Sequence, residues 1–109
     1  MKAIAKAWNG LVSLFSQPYK NVLVEDLPKV PDRRTLYVVG EGPYRWFAAM
    51  VCPCGCGDLI KLNIRNDSHP YWRVIEQRGI VSLDPSVWKT TGCRSHFFYR
   101  KNRIRWCRD

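Results

Sequence analysis

Residues 52–57 read Cys-Pro-Cys-Gly-Cys-Gly, and residues 93–96 read Cys-Arg-Ser-His. Three thiols within five residues are poorly spaced for a disulfide framework, but thiolates converge readily on a metal ion. A Cys-x-x-His spacing directs two further ligand atoms to one side of a tight turn, and glycines beside the cysteines let backbone N–H groups approach sulfur. These two stretches decide the fold, because they predict a Zn²⁺ ion that ties distant segments of the chain together.

Zinc takes four ligands, and the sequence offers more candidates than that. The candidates are Cys52, Cys54, Cys56, Cys93 and His96. We prefer the set Cys54, Cys56, Cys93 and His96, although Cys52 can replace either of its neighbours, because alternate residues of an extended backbone face the same way. The alternative is that the cysteines are small buried hydrophobic residues. Cys107 stands alone and is predicted to be no ligand.

The size and composition of the chain exclude several classes of protein. It has 109 residues, of which 46% are hydrophobic, 13% aromatic and 25% charged, as in a single globular domain. The longest apolar run, residues 46–51, is far shorter than the roughly 20 residues that span a bilayer. A two-domain dehydrogenase and an integral membrane protein are therefore excluded. A small domain buries limited surface, so we expect the metal to contribute to its stability.

The hydrophobic pattern changes once along the chain. Residues 1–17 have helical spacing, with an apolar face that we expect to pack on the domain or, alternatively, to bind a membrane surface or a partner. Beyond Pro18 the period is two, as in strands. The predicted fold is mostly β (α+β): a small zinc-stabilised antiparallel β domain at residues 18–109 with one N-terminal amphipathic helix at residues 1–17. The strands are predicted at residues 21–25, 35–39, 46–51, 59–64, 71–75, 80–83, 97–100 and 103–106, the last two joined by a two-residue turn.

The charge of the chain suggests its kind of partner. The formal net charge is +9, and arginines alternate with aromatic residues in the last third of the sequence. Such a surface attracts acidic protein, nucleic acid or anionic lipid, and basic residues among aromatic rings also suit single-stranded nucleic acid. The odd, clustered cysteines indicate a reducing compartment, so we expect a cytoplasmic protein with no membrane span.

Catalytic residues are not predicted. A fully ligated zinc ion has no open position for a substrate, and Asp58 and Asp84 are the only carboxylates near the cysteine motifs. Ser82 and Ser86 are possible nucleophiles, but with His96 assigned to the metal no free histidine is placed to activate them. We therefore assign these serines to turn formation and expect a module that is not an enzyme by itself, with a zinc hydrolase as a third hypothesis.

Several motifs occur together in one order along the chain, and this order is similar to that of a known family. They are Leu-Tyr-Val at 36–38, the cysteine motif at 52–57, Ser-Leu-Asp-Pro-Ser at 82–86, Cys-Arg-Ser-His at 93–96 and Arg-Ile-Arg-Trp at 103–106. From about residue 21 to residue 106 the chain resembles a small bacterial domain-of-unknown-function family of predicted zinc-binding proteins. Members are often encoded beside ubiquitin-like proteins and their activating-like and conjugating-like enzymes. Residues 88–92 depart from the family's usual Gly-Asn-Trp-like segment.

The resemblance implies a role in a bacterial ubiquitin-like conjugation system. On this basis we expect a non-catalytic zinc-binding adaptor or ligase-like component, whose partner is an activating-like enzyme, a conjugating-like enzyme or the ubiquitin-like protein itself. The alternative is a zinc-ribbon-like protein that binds nucleic acid through its basic face. That alternative predicts an affinity that falls steeply with salt.

Overall fold

The described part of the chain, residues 18–107, is built entirely from strands and loops. In this computed structural model the elements are β1 (Lys20–Val24), β2 (Thr35–Glu41), β3 (Tyr44–Val51), β4 (Leu59–Asn63), β5 (Arg73–Gln77), β6 (Ile80–Asp84), β7 (Val87–Trp88), β8 (His96–Arg100) and β9 (Arg103–Trp106). The mostly β fold is confirmed. The helix predicted at residues 1–17 lies outside the described residues. Residues 18–107 contain no helix that could cross a membrane.

The largest sheet has four strands in the order β1-β2-β3-β4. Strands β2, β3 and β4 are antiparallel neighbours, with a bulge between Val39 and Gly40. A Cβ atom at Gly40 would lie 2.0 Å from the Tyr44 carbonyl oxygen, so only glycine fits the close backbone approach at this bulge. The bulge bends β2 just before the tight turn into β3.

Strand β1 corrects the predicted all-antiparallel arrangement, because it pairs with β2 in parallel. The connection between the two strands runs from Glu25 to Arg34 and contains Pro28 and Pro31. Prolines favour extended backbone and cannot donate to a ladder. A connection of this length can return along the sheet, so both strands run the same way, which a two-residue turn would not permit.

The remaining strands form the β5–β6 hairpin and a three-stranded sheet in the order β7-β8-β9. The predicted turn between the last two strands is confirmed: Lys101 and Asn102 have φ angles of 49° and 63°, as a two-residue hairpin requires. Strand β7 was not predicted. It has only two residues, which are too few to show an alternating pattern in the sequence. It is a strand because it pairs with β8.

The three sheets share one core. Its fully buried members include Leu36 and Met50 from the four-stranded sheet and Phe97 and Tyr99 from β8. The polar side chain of Asn102 joins the sheets at one end, where its Oδ1 accepts a hydrogen bond from the Val81 backbone N–H at 2.7 Å. This packing fixes the three-stranded sheet against the four-stranded sheet.

Candidate active site and metal centre

Four thiols meet where β3 ends and where the turn before β8 begins. The Sγ atoms of Cys52, Cys54, Cys56 and Cys93 all lie within 4.8 Å of one another. Cys52 Sγ is 3.4 Å from Cys54 Sγ and 3.6 Å from Cys93 Sγ. Ligand sulfurs about 2.3 Å from a tetrahedral zinc ion are about 3.8 Å apart. The number, chemistry and spacing of these thiols therefore fit one tetrahedral metal ion.

The cysteine loop owes its shape to backbone conformations that glycine supplies. Gly55 and Gly57 have φ angles of 92° and 87°, which side chains disfavour. The loop is closed by a hydrogen bond from the Cys52 N–H to the Asp58 carbonyl oxygen at 2.8 Å. Within it, the Cys56 N–H points at Cys54 Sγ at 3.3 Å. Such N–H donors stabilise negatively charged sulfur, which is the form that binds metal.

The two ends of the thiol cluster differ in acidity. Ser95 Oγ lies 3.1 Å from Cys93 Sγ, and the hydrogen bond from this hydroxyl lowers the pKa of Cys93 to about 6. Cys52 is only 2% exposed, and its burial raises the pKa of this thiol to about 12. Metal binding requires thiolates, so a bound cation is what would ionise Cys52.

His96 lies outside the thiol cluster and faces a serine instead. Its Nε2 atom is 3.0 Å from Ser86 Oγ. The structure thus brings together four of the five residues predicted as ligands and sets the fifth apart. In the tautomer that carries its proton on Nδ1, His96 Nε2 accepts a hydrogen bond from the Ser86 hydroxyl. A serine and an imidazole at this distance form the pairing in which a base activates a nucleophile.

The strand register sets the Ser86–His96 pair. Trp88 of β7 is the cross-strand partner of His96 in β8, and Ser86, two residues before Trp88, lies on the same face. The indole and imidazole rings stack with centroids 4.9 Å apart and planes 15° apart. Hydrogen bonds to their carbonyl groups also hold the backbones of Ser86 and His96. Trp72 Nε1 donates to the Ser86 carbonyl at 3.1 Å, and the Cys107 N–H donates to the His96 carbonyl at 2.9 Å.

The two sites are joined by one short turn. Cys93 lies in the thiol cluster and His96 in the Ser86–His96 pair, three residues later. Between them, the Ser95 carbonyl accepts a hydrogen bond from the Lys89 N–H at 2.8 Å. The Lys89 ammonium in turn pairs with Asp58 of the cysteine loop at 2.6 Å. A metal ion held by the thiol cluster would therefore restrain the backbone that carries the histidine.

The carboxylates considered for zinc hydrolysis are engaged elsewhere. The hydrogen bond from Lys89 lowers the pKa of Asp58, and Asp84 pairs with Arg73 at 3.3 Å. The group of potential metal ligands in residues 18–107 consists of cysteines alone. Both carboxylates are thus paired with basic residues and do not belong to the group of clustered thiols.

Ser86 is the candidate site residue that the sequence analysis does not select. With His96 as a metal ligand, the sequence predicts only a role in turn formation for this serine. One signal was present: five candidate ligands for four positions leave one residue over. Had the spare residue been taken to be the histidine, a base for Ser86 would have followed.

Comparison with known families agrees with this chemistry. A family model described as bacterial ubiquitination-like system serine protease (BubE) matches residues 23–107. Searches of curated proteins and of solved structures each returned no match. The predicted link to a bacterial ubiquitination-like system is confirmed. The predictions of a non-catalytic adaptor and of a chain that is not an enzyme are wrong, because the matched family is one of proteases. Since the match spans more than three quarters of the residues, the chain belongs to the BubE family of bacterial ubiquitination-like system serine proteases.

Proposed function

We propose that this chain is a serine peptidase in which Ser86 is the nucleophile and His96 is the general base. The observation that carries the proposal is the 3.0 Å separation between Ser86 Oγ and His96 Nε2. Both side chains are only partly buried, so a substrate can reach them. The family's description as a serine protease supports the same assignment.

The geometry supports acyl transfer in two stages. Ser86 Oγ attacks the carbonyl carbon of a peptide bond while His96 Nε2 takes the hydroxyl proton. When the tetrahedral intermediate collapses, the carbon–nitrogen bond breaks and the leaving amine takes that proton from His96. Water then attacks the ester carbon, again giving its proton to His96, and Ser86 is released with its proton restored.

Trp88 supports the base in two ways. Its indole stacks on the imidazole ring, which restricts rotation of His96 away from Ser86. When His96 takes up a proton it becomes a cation, and the face of an indole attracts a cation. The indole is therefore placed to stabilise the positive charge that His96 acquires when it takes the serine proton.

The thiol cluster has a structural role in this proposal. Cys52, Cys54, Cys56 and Cys93 would hold one Zn²⁺ ion, whose four thiolate ligands leave no open position for a substrate. When bound, zinc supplies a rigid link between the cysteine loop and the turn that precedes His96. Since His96 faces Ser86, we assign no metal ligand role to it.

The family description bears on the substrate, and the cysteines bear on the cellular compartment of the protein. The family description supports a polypeptide substrate or partner within a ubiquitination-like system. The cysteines at residues 52–107 are all free, and clustered free thiols persist in a reducing compartment. We therefore propose that the protein acts in the cytoplasm.

Labelling with a fluorophosphonate tests the proposed nucleophile, because this class of reagent phosphonylates activated serine hydroxyls. We expect stoichiometric labelling of the wild-type protein at Ser86, located by mass spectrometry of the labelled peptide. Ser86→Ala should lower the labelling rate on the order of a thousandfold or more while melting temperature and metal content stay unchanged.

Ser82→Ala is the matched control. Ser82 lies in the same Ser-Leu-Asp-Pro-Ser motif, but its hydroxyl accepts a hydrogen bond from the Lys101 N–H at 2.9 Å and does not face His96. This variant should be labelled at the wild-type rate. Labelling that persists in Ser86→Ala, or a wild-type protein that no serine-directed reagent labels, would refute the assignment.

A further inference from the structure

The three-stranded sheet has one buried face and one open face. Val87, Phe97, Tyr99 and Ile104 are 2% exposed or less and belong to the shared core. Side chains alternate along a strand, so the neighbours of these residues point to the opposite side. That side carries Ser86, Trp88 and His96 together with Phe98, Arg100, Arg103 and Arg105. We call it the open face.

The open face is basic and aromatic, and no carboxylate occupies any of its seven positions. Arg105 lies opposite Phe98 in the register of β8 and β9. The Arg100 guanidinium is 4.3 Å from the centroid of the Phe98 ring. Within residues 18–107 the ion pairs of the structure involve other basic residues, not Arg100 or Arg105. Both guanidinium groups are exposed, so their donors are presented to whatever lies on this face.

The arginines are at a fixed distance from the proposed chemistry. Residues in a strand advance about 3.3 Å each, so the Phe98–Arg105 pair lies about 7 Å along β8 from His96, and Arg100 lies about 13 Å from it. An extended polypeptide has nearly the same rise per residue. A substrate strand that runs along β8 past the Ser86–His96 pair would therefore bring side chains within about four residues of the scissile bond over these arginines.

We infer that the open face binds an acidic segment of the polypeptide substrate, with carboxylates within about four residues of the scissile bond. This inference rests on the proposed peptidase function. Guanidinium groups donate paired hydrogen bonds to carboxylates. Arg100 is already held over Phe98 by a cation–π contact, so less side-chain freedom is lost when it binds.

A polypeptide fits this surface better than a nucleic acid does. Single-stranded nucleic acid binding needs free aromatic faces on which bases stack. Here Arg100 covers the ring of Phe98, and His96 covers one face of Trp88. The arginines also share the open face with a Ser–His pair, and such a pair attacks acyl carbon atoms. The charge of the open face is therefore complementary to carboxylates beside a peptide bond.

Peptide binding tests the inference without requiring cleavage. The probes are three dye-labelled ten-residue peptides of alanine and glycine with glutamate, glutamine or lysine at alternate positions, and the measurement is fluorescence anisotropy at low and at moderate salt. We expect the glutamate peptide to bind about tenfold or more tightly than the glutamine peptide, and to weaken as salt increases. The combination of Arg100→Glu and Arg105→Glu should remove this preference.

A charge-matched control separates the open face from the overall field of a basic protein. Lys20→Glu with Lys29→Glu makes the same change in formal charge on exposed residues of β1 and of the following loop. This variant should bind the glutamate peptide within about twofold of the wild-type affinity. Melting curves check that each variant is folded, and Arg100→Gln with Arg105→Gln replaces the charge-reversed variant if that one unfolds.

The result is independent of the labelling of Ser86, so either proposal can fail alone. Equal affinity for the glutamate and glutamine peptides would overturn the inference, as would equal losses in the arginine and lysine variants. A labelled single-stranded oligonucleotide provides the remaining comparison. If it binds more tightly than the glutamate peptide, and the arginine variant alone abolishes that binding, the open face binds nucleic acid and the polypeptide assignment is wrong.

Discussion

The thiol cluster and the Ser86–His96 pair lie at opposite ends of the turn at residues 93–96, and they are held by different means. Three of the four clustered cysteines are exposed and have no core packing around them. Ser86 and His96 are instead held by strand pairing, by stacking on Trp88 and by backbone hydrogen bonds. The thiols of an exposed loop would be gathered by a bound ion, whereas the distance between Ser86 and His96 is maintained by a packed sheet. Variants at the two sites should therefore have separable effects.

The largest effect is expected when His96 is changed. His96→Gln removes the base but leaves all four thiols, so fluorophosphonate labelling of Ser86 should slow by about a thousandfold. Metal content and melting temperature should stay near the wild-type values. A loss of metal from this variant would return His96 to the ligand set and contradict the separation of the two sites.

Removal of the metal should affect both sites. We expect one zinc ion per chain, and its removal by a chelator should lower the melting temperature by more than about 10 °C. Ser86 labelling should also slow, because the turn that carries His96 is no longer anchored through Cys93. Added zinc should restore the labelling rate. Cys54→Ser should reproduce the loss of metal.

Cys107→Ser is the control for that experiment, since Cys107 lies outside the thiol cluster. This variant should keep its metal and its melting temperature. A melting curve that a chelator does not change, in protein without stoichiometric metal, would show that the thiol cluster is not a metal centre.

A smaller effect is expected at the stacked indole. Trp88→Ala removes the ring that faces His96, and we expect labelling to slow by about tenfold, the rate equivalent of one aromatic contact. Because Trp88 is 60% exposed, the melting temperature should change little. Trp106→Ala is the matched control, because Trp106 packs edge-on against Phe97 on the other side of β8. It should leave labelling unchanged, and an equal effect of both variants would contradict the role of Trp88.

The smallest effect is expected at the surface ion pair. Asp58→Asn removes the charge partner of Lys89, and exposed pairs contribute little to stability. The melting temperature should shift by about 1 °C or less, with labelling and metal content unchanged. A tenfold loss of labelling would instead place this carboxylate in the chemistry, as the zinc hydrolase hypothesis requires.

Much of the fold was predictable because it follows from local rules. Alternation of apolar and polar residues predicts most of the strands to within two residues, and Lys-Asn between two such runs predicts the last hairpin. The parallel pairing of β1 was not predictable, because the connection of residues 25–34 permits either direction. Strand β7 was missed because Val87 and Trp88 become a strand only by pairing with β8.

The candidate site divides in the same way. Cysteines spaced by one residue around glycines predict a shared ligand site, and Cys93 joins it as expected. The role of His96 depends on its neighbours in space. The sequence is compatible with two roles for it, a fourth metal ligand or a base. The sequence does not decide which of Cys52, Cys54 and Cys56 are ligands, because alternate residues of an extended backbone face the same way.

By itself the sequence determined the components of this protein: clustered thiols that suit a metal, a basic and aromatic last third, and strands as the scaffold. These follow from residue types and short spacings, which act within a few bonds along the chain. Only the tertiary structure decided that Ser86 meets His96, because the two residues are brought to 3.0 Å by the register of β7 on β8. That register is set by the burial of Val87 and Phe97 in a core shared by all three sheets, and such burial is a property of the whole fold.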